Sequence, residues 1–245
     1  MNAEDYKQTI VKGISAIDQL IIPLKRKYPQ CYSADIGGYF VWRCEQIQKM
    51  FKTLLHIAST CDDVHSSNVI LRALADHTSS LKLIYCNSDK EVVKLRHFLY
   101  VIDGCNERKK INESLINDDN INEDGIAHAN LIIDKENNAK NYCENQIQSL
   151  NVYKNNPSAI EKLIKQGNWK FREVYKSSYS WKELYKEILD MPNDYINYLS
   201  QHVHGLAGGI GIDDDNPYYL VFGILLLIQN EFCHVITSVL FPEKK

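Results

Sequence analysis

Helix breakers are scarce in this chain and bunched together, and that constrains the fold more than any motif. The 245 residues hold six prolines and eleven glycines, clustered so that long segments carry neither. Proline removes a backbone donor and glycine costs chain entropy, so segments free of both favour long helices over many short strands. Hydrophobic spacing agrees. Tyr6, Ile10, Ile14, Ile17, Ile21 and Leu24 recur at the period of one helix face, and no segment keeps the alternation of a strand for six residues.

The spacing predicts a first helix over 4–28, kinked or ended near Ile22 by Pro23. A second is expected over 39–58. A third runs from a cap at Asp62 or Asp63 to Tyr85, with Ile70, Leu74, His77, Leu81 and Ile84 inward. Asn87-Ser-Asp89 starts a fourth, which is expected to end in Glu107-Arg-Lys-Lys110. Residues 112–125 are acidic, rich in asparagine and aperiodic, so a loop is expected. A polar helix over 126–151 has the look of a surface arm. Shorter helices over 158–166, from Ser180 to Leu189 and from Asn193 precede a glycine-rich loop at 205–216 and an apolar helix from Pro217.

Apolar residues make up 44% of the chain, enough for a sizeable core. The expected fold is all-α: an irregular bundle of roughly eight to ten helices around the apolar C-terminal helix. One domain over 1–245 is expected, with 112–151 as a loop plus a polar helical excursion.

The C-terminal segment, Tyr218 to Phe241, invites a membrane reading. Its unbroken apolar run, Leu220 to Ile228, is nine residues long, and Gln229, Asn230, Glu231 and His234 follow. A spanning helix needs ~20 mainly apolar residues, so a buried core helix and no membrane are expected. Net charge is −3, so no basic excess marks a nucleic-acid or membrane-surface protein, though a local basic pocket stays open. The seven cysteines, at 31, 44, 61, 86, 105, 143 and 233, are odd in number and irregular in spacing. They read as free thiols in a reducing cytosol.

Two polar constellations stand out. On a helix from Asn193, Ile196, Leu199, Val203 and Leu206 form an apolar stripe, while Asn197, Ser200, Gln201 and His204 form a polar one. Ser200 and His204 are one turn apart and within reach of each other, whereas His202 points elsewhere. The plain alternative is a surface face with a histidine at the helix C-terminus, where the dipole favours a cation. The second constellation is Arg72-Ala-Leu-Ala-Asp-His77. Arg72 and Asp76 are expected to pair, and His77 lies on the apolar stripe. Here the plain alternative is a core histidine beside an ordinary ion pair.

Other chemistries fit less well. His202, His204, His234 and Asp213-Asp-Asp215 supply metal-ligand types without a zinc spacing, and no metal or cofactor is expected. Gly205, Gly208, Gly209 and Gly211 follow a helix instead of a strand and lack the Lys-Ser/Thr of a phosphate loop. Ser200, His204 and Asp213 lack the strained elbow that exposes a nucleophilic serine.

Two resemblances bear on function. Tyr195-x-x-x-Leu199-Ser200-x-x-x-His204-Gly205 resembles the late motif of an uncharacterised bacterial family of all-helical domains of unknown function. Arg72-Ala-Leu-Ala-Asp76 resembles that family's earlier Arg-x-Leu-x-Glu/Asp helix. Trp169 and Trp181 are similar to its Trp-rich segment, and the likeness spans residues 40–235. More distantly, Arg72-x-x-x-x-His77 resembles the signature of HEPN domains, although there the motif lies late in the bundle and here it lies in the first third. Those domains are all-α, often dimeric, and include metal-independent ribonucleases of toxin and phage-defence systems. The resemblance implies a histidine that moves the 2′-hydroxyl proton and an arginine on the phosphate, which is sound acid–base chemistry.

Two functions are therefore expected to compete. One is a HEPN-like ribonuclease or defence effector acting on RNA through Arg72, His77, Ser200 and His204, possible as a homodimer. The other is a non-catalytic helical module that binds a protein partner or small ligand, with the same residues as structural networks.

Overall fold

Most breaker-free stretches close their backbone hydrogen bonds as helix, with residues 117–122 and the Phe171–Ser178 region as exceptions. The computed structural model describes residues 3–29, 35–172, 175, 177–204 and 218–242. Among them the fold is all-α, with one isolated antiparallel bridge between Phe171 and Ser178. The glycine-rich stretch, Asp213–Asp215 and Cys31 lie outside the described residues. Contacts gather into two compact units. The first takes Met1–Cys31, Gly37–Cys86 and Ser180–Lys245, and the second takes Tyr32–Ile36 and Asn87–Tyr179.

The first unit is built on the apolar C-terminal helix, α10 (Tyr218–Leu240), which packs against α1 (Ala3–Lys27) and α3 (Val64–Tyr85). Phe232 of α10 meets Phe51 of α2 (Ile36–His56), ring centroids 5.8 Å apart. α10 is long and apolar enough to cross a membrane, yet half of its most apolar window is buried inside the protein. Gln229 sits on the buried face because its Nε2 donates to the carbonyl of Ile10, 3.1 Å away. A buried amide without that acceptor would be costly.

Pro23 does not end the helix near Ile22: α1 runs on to Lys27. Pro23 is exposed and stands five residues from the end of α1, where it removes the amide donor to the Gln19 carbonyl but leaves only one further turn to be held. Buried Ile21 and Leu24 hold that turn against the core. α2 passes into a π-helical turn, Ile57–Cys61, which Asp62 closes in the left-handed region at φ 51°. Asp63 caps α3, its carboxylate accepting from the Ser66 amide at 2.9 Å. α8 (Trp181–Glu183) opens on a capping box between Ser180 and Glu183 and continues as a π-helical turn, Leu184–Ile188. α9 (Asn193–Val203) follows; its N-cap residue, Pro192, supplies no side-chain bond.

The second unit is organised on a long hairpin. α4 (Lys90–Ile116) begins at the Asp89 cap and pairs with α5 (Glu123–Ser149). The loop expected over 112–125 is thus much shorter, because α4 extends six residues past Lys110. Residues 111–116 bury only Asn112, so the extension leaves no apolar period to read. Arg108 grips Glu136 through two bonds of 2.7 and 2.8 Å, and Lys109 reaches Asn137 at 3.1 Å. α5 buries only Ala129, Cys143 and Ile147, in keeping with a thinly buried arm. α6 (Asn151–Asn155) and α7 (Pro157–Gln166) pack at the base of the hairpin. Gly167 ends α7 at φ 60°, where a Cβ would crowd the Asp103 backbone.

Candidate functional site

Of the polar residues singled out by spacing, Arg72, Asp76 and Ser200 meet where α9 packs against α3. Asn68, Arg72 and Asp76 lie one turn apart in series on α3. Arg72 points across the seam: Nη1 donates to Ser200 Oγ at 2.5 Å. Its Nε contacts Asp76 Oδ1 at 3.4 Å, and the guanidinium lies 4.7 Å from the centre of the Tyr185 ring. The expected Arg72–Asp76 pair therefore forms. It shares the cation with a serine and an aromatic face that no local spacing revealed.

His77 belongs to a different contact. Its Nδ1 lies 2.8 Å from Nη2 of buried Arg43 on α2. Arginine can only donate, so Nδ1 accepts and the imidazole is the neutral Nε2–H tautomer. Burial, with Arg43 adding to it, pulls His77 down to about 4. Arg72 and His77 thus engage different helices.

His204 is exposed at the C-terminus of α9, where its amide donates to the Ser200 carbonyl at 3.1 Å. The inward histidine is His202, only 5% exposed. α9 is turned so that Ile196, Leu199 and His202 face the core while Val203 is exposed, a correction to the expected stripe. Asn68 Nδ2 approaches three acceptors: the Val64 carbonyl at 3.1 Å, Tyr198 Oη at 3.0 Å and His202 Nε2 at 3.3 Å. That leaves His202 Nδ1 and Asn68 Oδ1 buried without a hydrogen-bond partner among the described residues. The His65 ring stands 5.7 Å from that of His202. Burial lowers the His202 pKa, and His65 lowers it further.

Spacing missed Asn68, Tyr198, His202, Tyr185 and Arg43. The one available signal was the Asn68–Arg72–Asp76 register, which marks a polar stripe on an otherwise apolar helix. Ser200 was reached, but through Arg72 and not His204. Among the described residues no three His, Cys, Asp or Glu side chains gather as a metal site. Burial pushes the Cys105 and Cys143 thiols up to about 12, which makes them poor nucleophiles. Chemically, the seam can fix a cation and hold an imidazole neutral. No protein-family model, curated protein or solved structure matches the chain.

Proposed function

We propose that this chain is a non-catalytic helical module that binds a protein partner, with the α3–α9 polar seam as an internal lock. The observation that carries this reading is the engagement of Arg72. Its guanidinium already serves Ser200, Asp76 and the Tyr185 ring. An arginine meant for a phosphate would have to break those contacts first. His77 faces Arg43, and its depressed pKa keeps it from donating a proton near neutrality. Binding is supported by large apolar side chains left exposed on the α4–α5 hairpin, Ile111, Leu115 and Leu131.

Purified protein incubated with single-stranded and structured RNA tests the reading against the ribonuclease one. The RNA is expected to stay intact, and overexpression to leave bacterial growth unaffected. Cleavage that disappears in Arg72→Ala or His77→Ala would replace this reading with a HEPN-like nuclease or phage-defence effector.

A further inference from the structure

Two polar atoms at the α3–α9 seam, His202 Nδ1 and Asn68 Oδ1, are buried without a hydrogen-bond partner among the described residues. A buried polar atom left unbonded is costly, so two of them in one place ask for a ligand that satisfies both. His202 is only 5% exposed, and its Nε2 lies 3.3 Å from Asn68 Nδ2. The nitrogen it has left for another ligand is Nδ1. A second imidazole stands beside it. His65, exposed in the first turn of α3, has its ring centre 5.7 Å from that of His202 and its plane tilted by 50°. That separation fits two rings on one metal ion. Imidazole binds such an ion at about 2.0–2.1 Å in tetrahedral sites. With roughly 1.2 Å from nitrogen to ring centre, two imidazoles at a tetrahedral angle place their centres about 5.2 Å apart. The observed spacing is about half an ångström longer, which a small turn of the exposed His65 side chain closes.

We propose that His65 and His202 together hold one divalent first-row transition-metal ion, of the class of Zn²⁺, Ni²⁺ or Cu²⁺, with water completing its coordination. Imidazole nitrogen suits these ions and not Mg²⁺ or Ca²⁺. A metal on Nδ1 fixes the His202 proton on Nε2, and that N–H needs an acceptor. A half-turn of the Asn68 amide presents Oδ1 to it. Metal-bound histidines commonly donate their second nitrogen to a carbonyl in this way. Both orphaned atoms are then satisfied, and the amide Nδ2 is the one left over. The Val64 carbonyl that Nδ2 gives up keeps its bond within the helix. The N-terminal end of α3 disfavours a cation, but Asp62 and Asp63 stand next to His65 in the chain and offset it. The ion ties α3 to α9, two helices far apart in sequence, so it binds the folded chain and stabilises it. The site uses neither Arg72 nor Ser200 and does not depend on what else the chain binds.

Calorimetric titration of the full chain tests this, in a Cys61→Ser background that removes the exposed thiol. One Zn²⁺ or Ni²⁺ per chain is expected to bind with a Kd of about 1–100 µM, and Mg²⁺ not at all. The bound ion should raise the melting temperature. His65→Ala, at an exposed position, should melt like its parent without metal, bind at least about tenfold more weakly and lose the metal-dependent rise. His204→Ala should bind as its parent does. Nitrogen NMR of the zinc-loaded protein should show the ion on His202 Nδ1 and the proton on Nε2. No binding at about 1 mM Zn²⁺, binding that survives His65→Ala, or His202 nitrogens that do not shift on loading each overturn the proposal.

Discussion

At the scale of single residues, the Arg43–His77 contact makes stability depend on pH. His77 is held neutral in the fold, with its pKa lowered from 6.5 to about 4. In the unfolded chain it takes up a proton near its ordinary value. Its contribution is therefore complete above about pH 6.5 and is lost as pH falls toward 4. The expected slope over that window is about 1.4 kcal/mol per pH unit for this one proton. Denaturant melts of wild type and His77→Gln at pH 7 and pH 4.5 check it. Glutamine can still accept from Arg43 but does not titrate, so the variant should lose less stability on acidification. Equal losses would remove His77 as the cause. Arg72→Ala should cost about 1–3 kcal/mol, because it strips Ser200 and Asp76 of a charged donor. His204→Ala, at an exposed position, should fall within about 0.5 kcal/mol of wild type in the same melts. That contrast separates a seam built on Ser200 from one built on His204.

At the scale of elements, two helical glycines should respond in opposite directions. A Cβ at Gly13 of α1 would overlap the side-chain amide of Gln229. Gln229 would then have to give up its bond to the Ile10 carbonyl inside the core, and Gly13→Ala should lose about 1–3 kcal/mol. At Gly223 of α10 an added Cβ meets nothing within 4 Å. Gly223→Ala should gain about 0.5–1 kcal/mol by cutting chain entropy. Thermal melts of the two variants decide this, and a destabilised Gly223→Ala would contradict the open space there. Elements were also where the sequence was most legible. The caps at Asp63, Asp89 and Ser180 and the stop at Gly167 stand where the residue types put them. The extension of α4 past Lys110 was not legible, because over 111–116 it buries only Asn112 and leaves Ile111 and Leu115 exposed, so no apolar stripe marks it. The inward turn of His202 was hidden for a related reason. On α9, Val203 looks apolar in sequence, but the neighbour that accepts the helix offers Asn68 to an imidazole.

At the scale of the whole molecule, the second unit is nearly continuous in sequence. It has its own buried core, with Leu99, Ile102, Ile147, Ile160, Leu163 and Trp169 among its members. A fragment of 87–179 is expected to fold by itself, giving a helical circular dichroism spectrum and a cooperative melt. A random-coil spectrum would show that this core depends on the remaining residues.

Local physics alone determined the all-α class, most helix starts and the burial of the C-terminal helix, because breakers, caps and the 3.6-residue period act within a few residues. Tertiary structure decided which polar residues meet. Arg72 finds Ser200 128 positions away, and Arg43 finds His77 34 positions away. A helical period tells which side of its own helix a residue takes, and says nothing of the helix that will lie against that side.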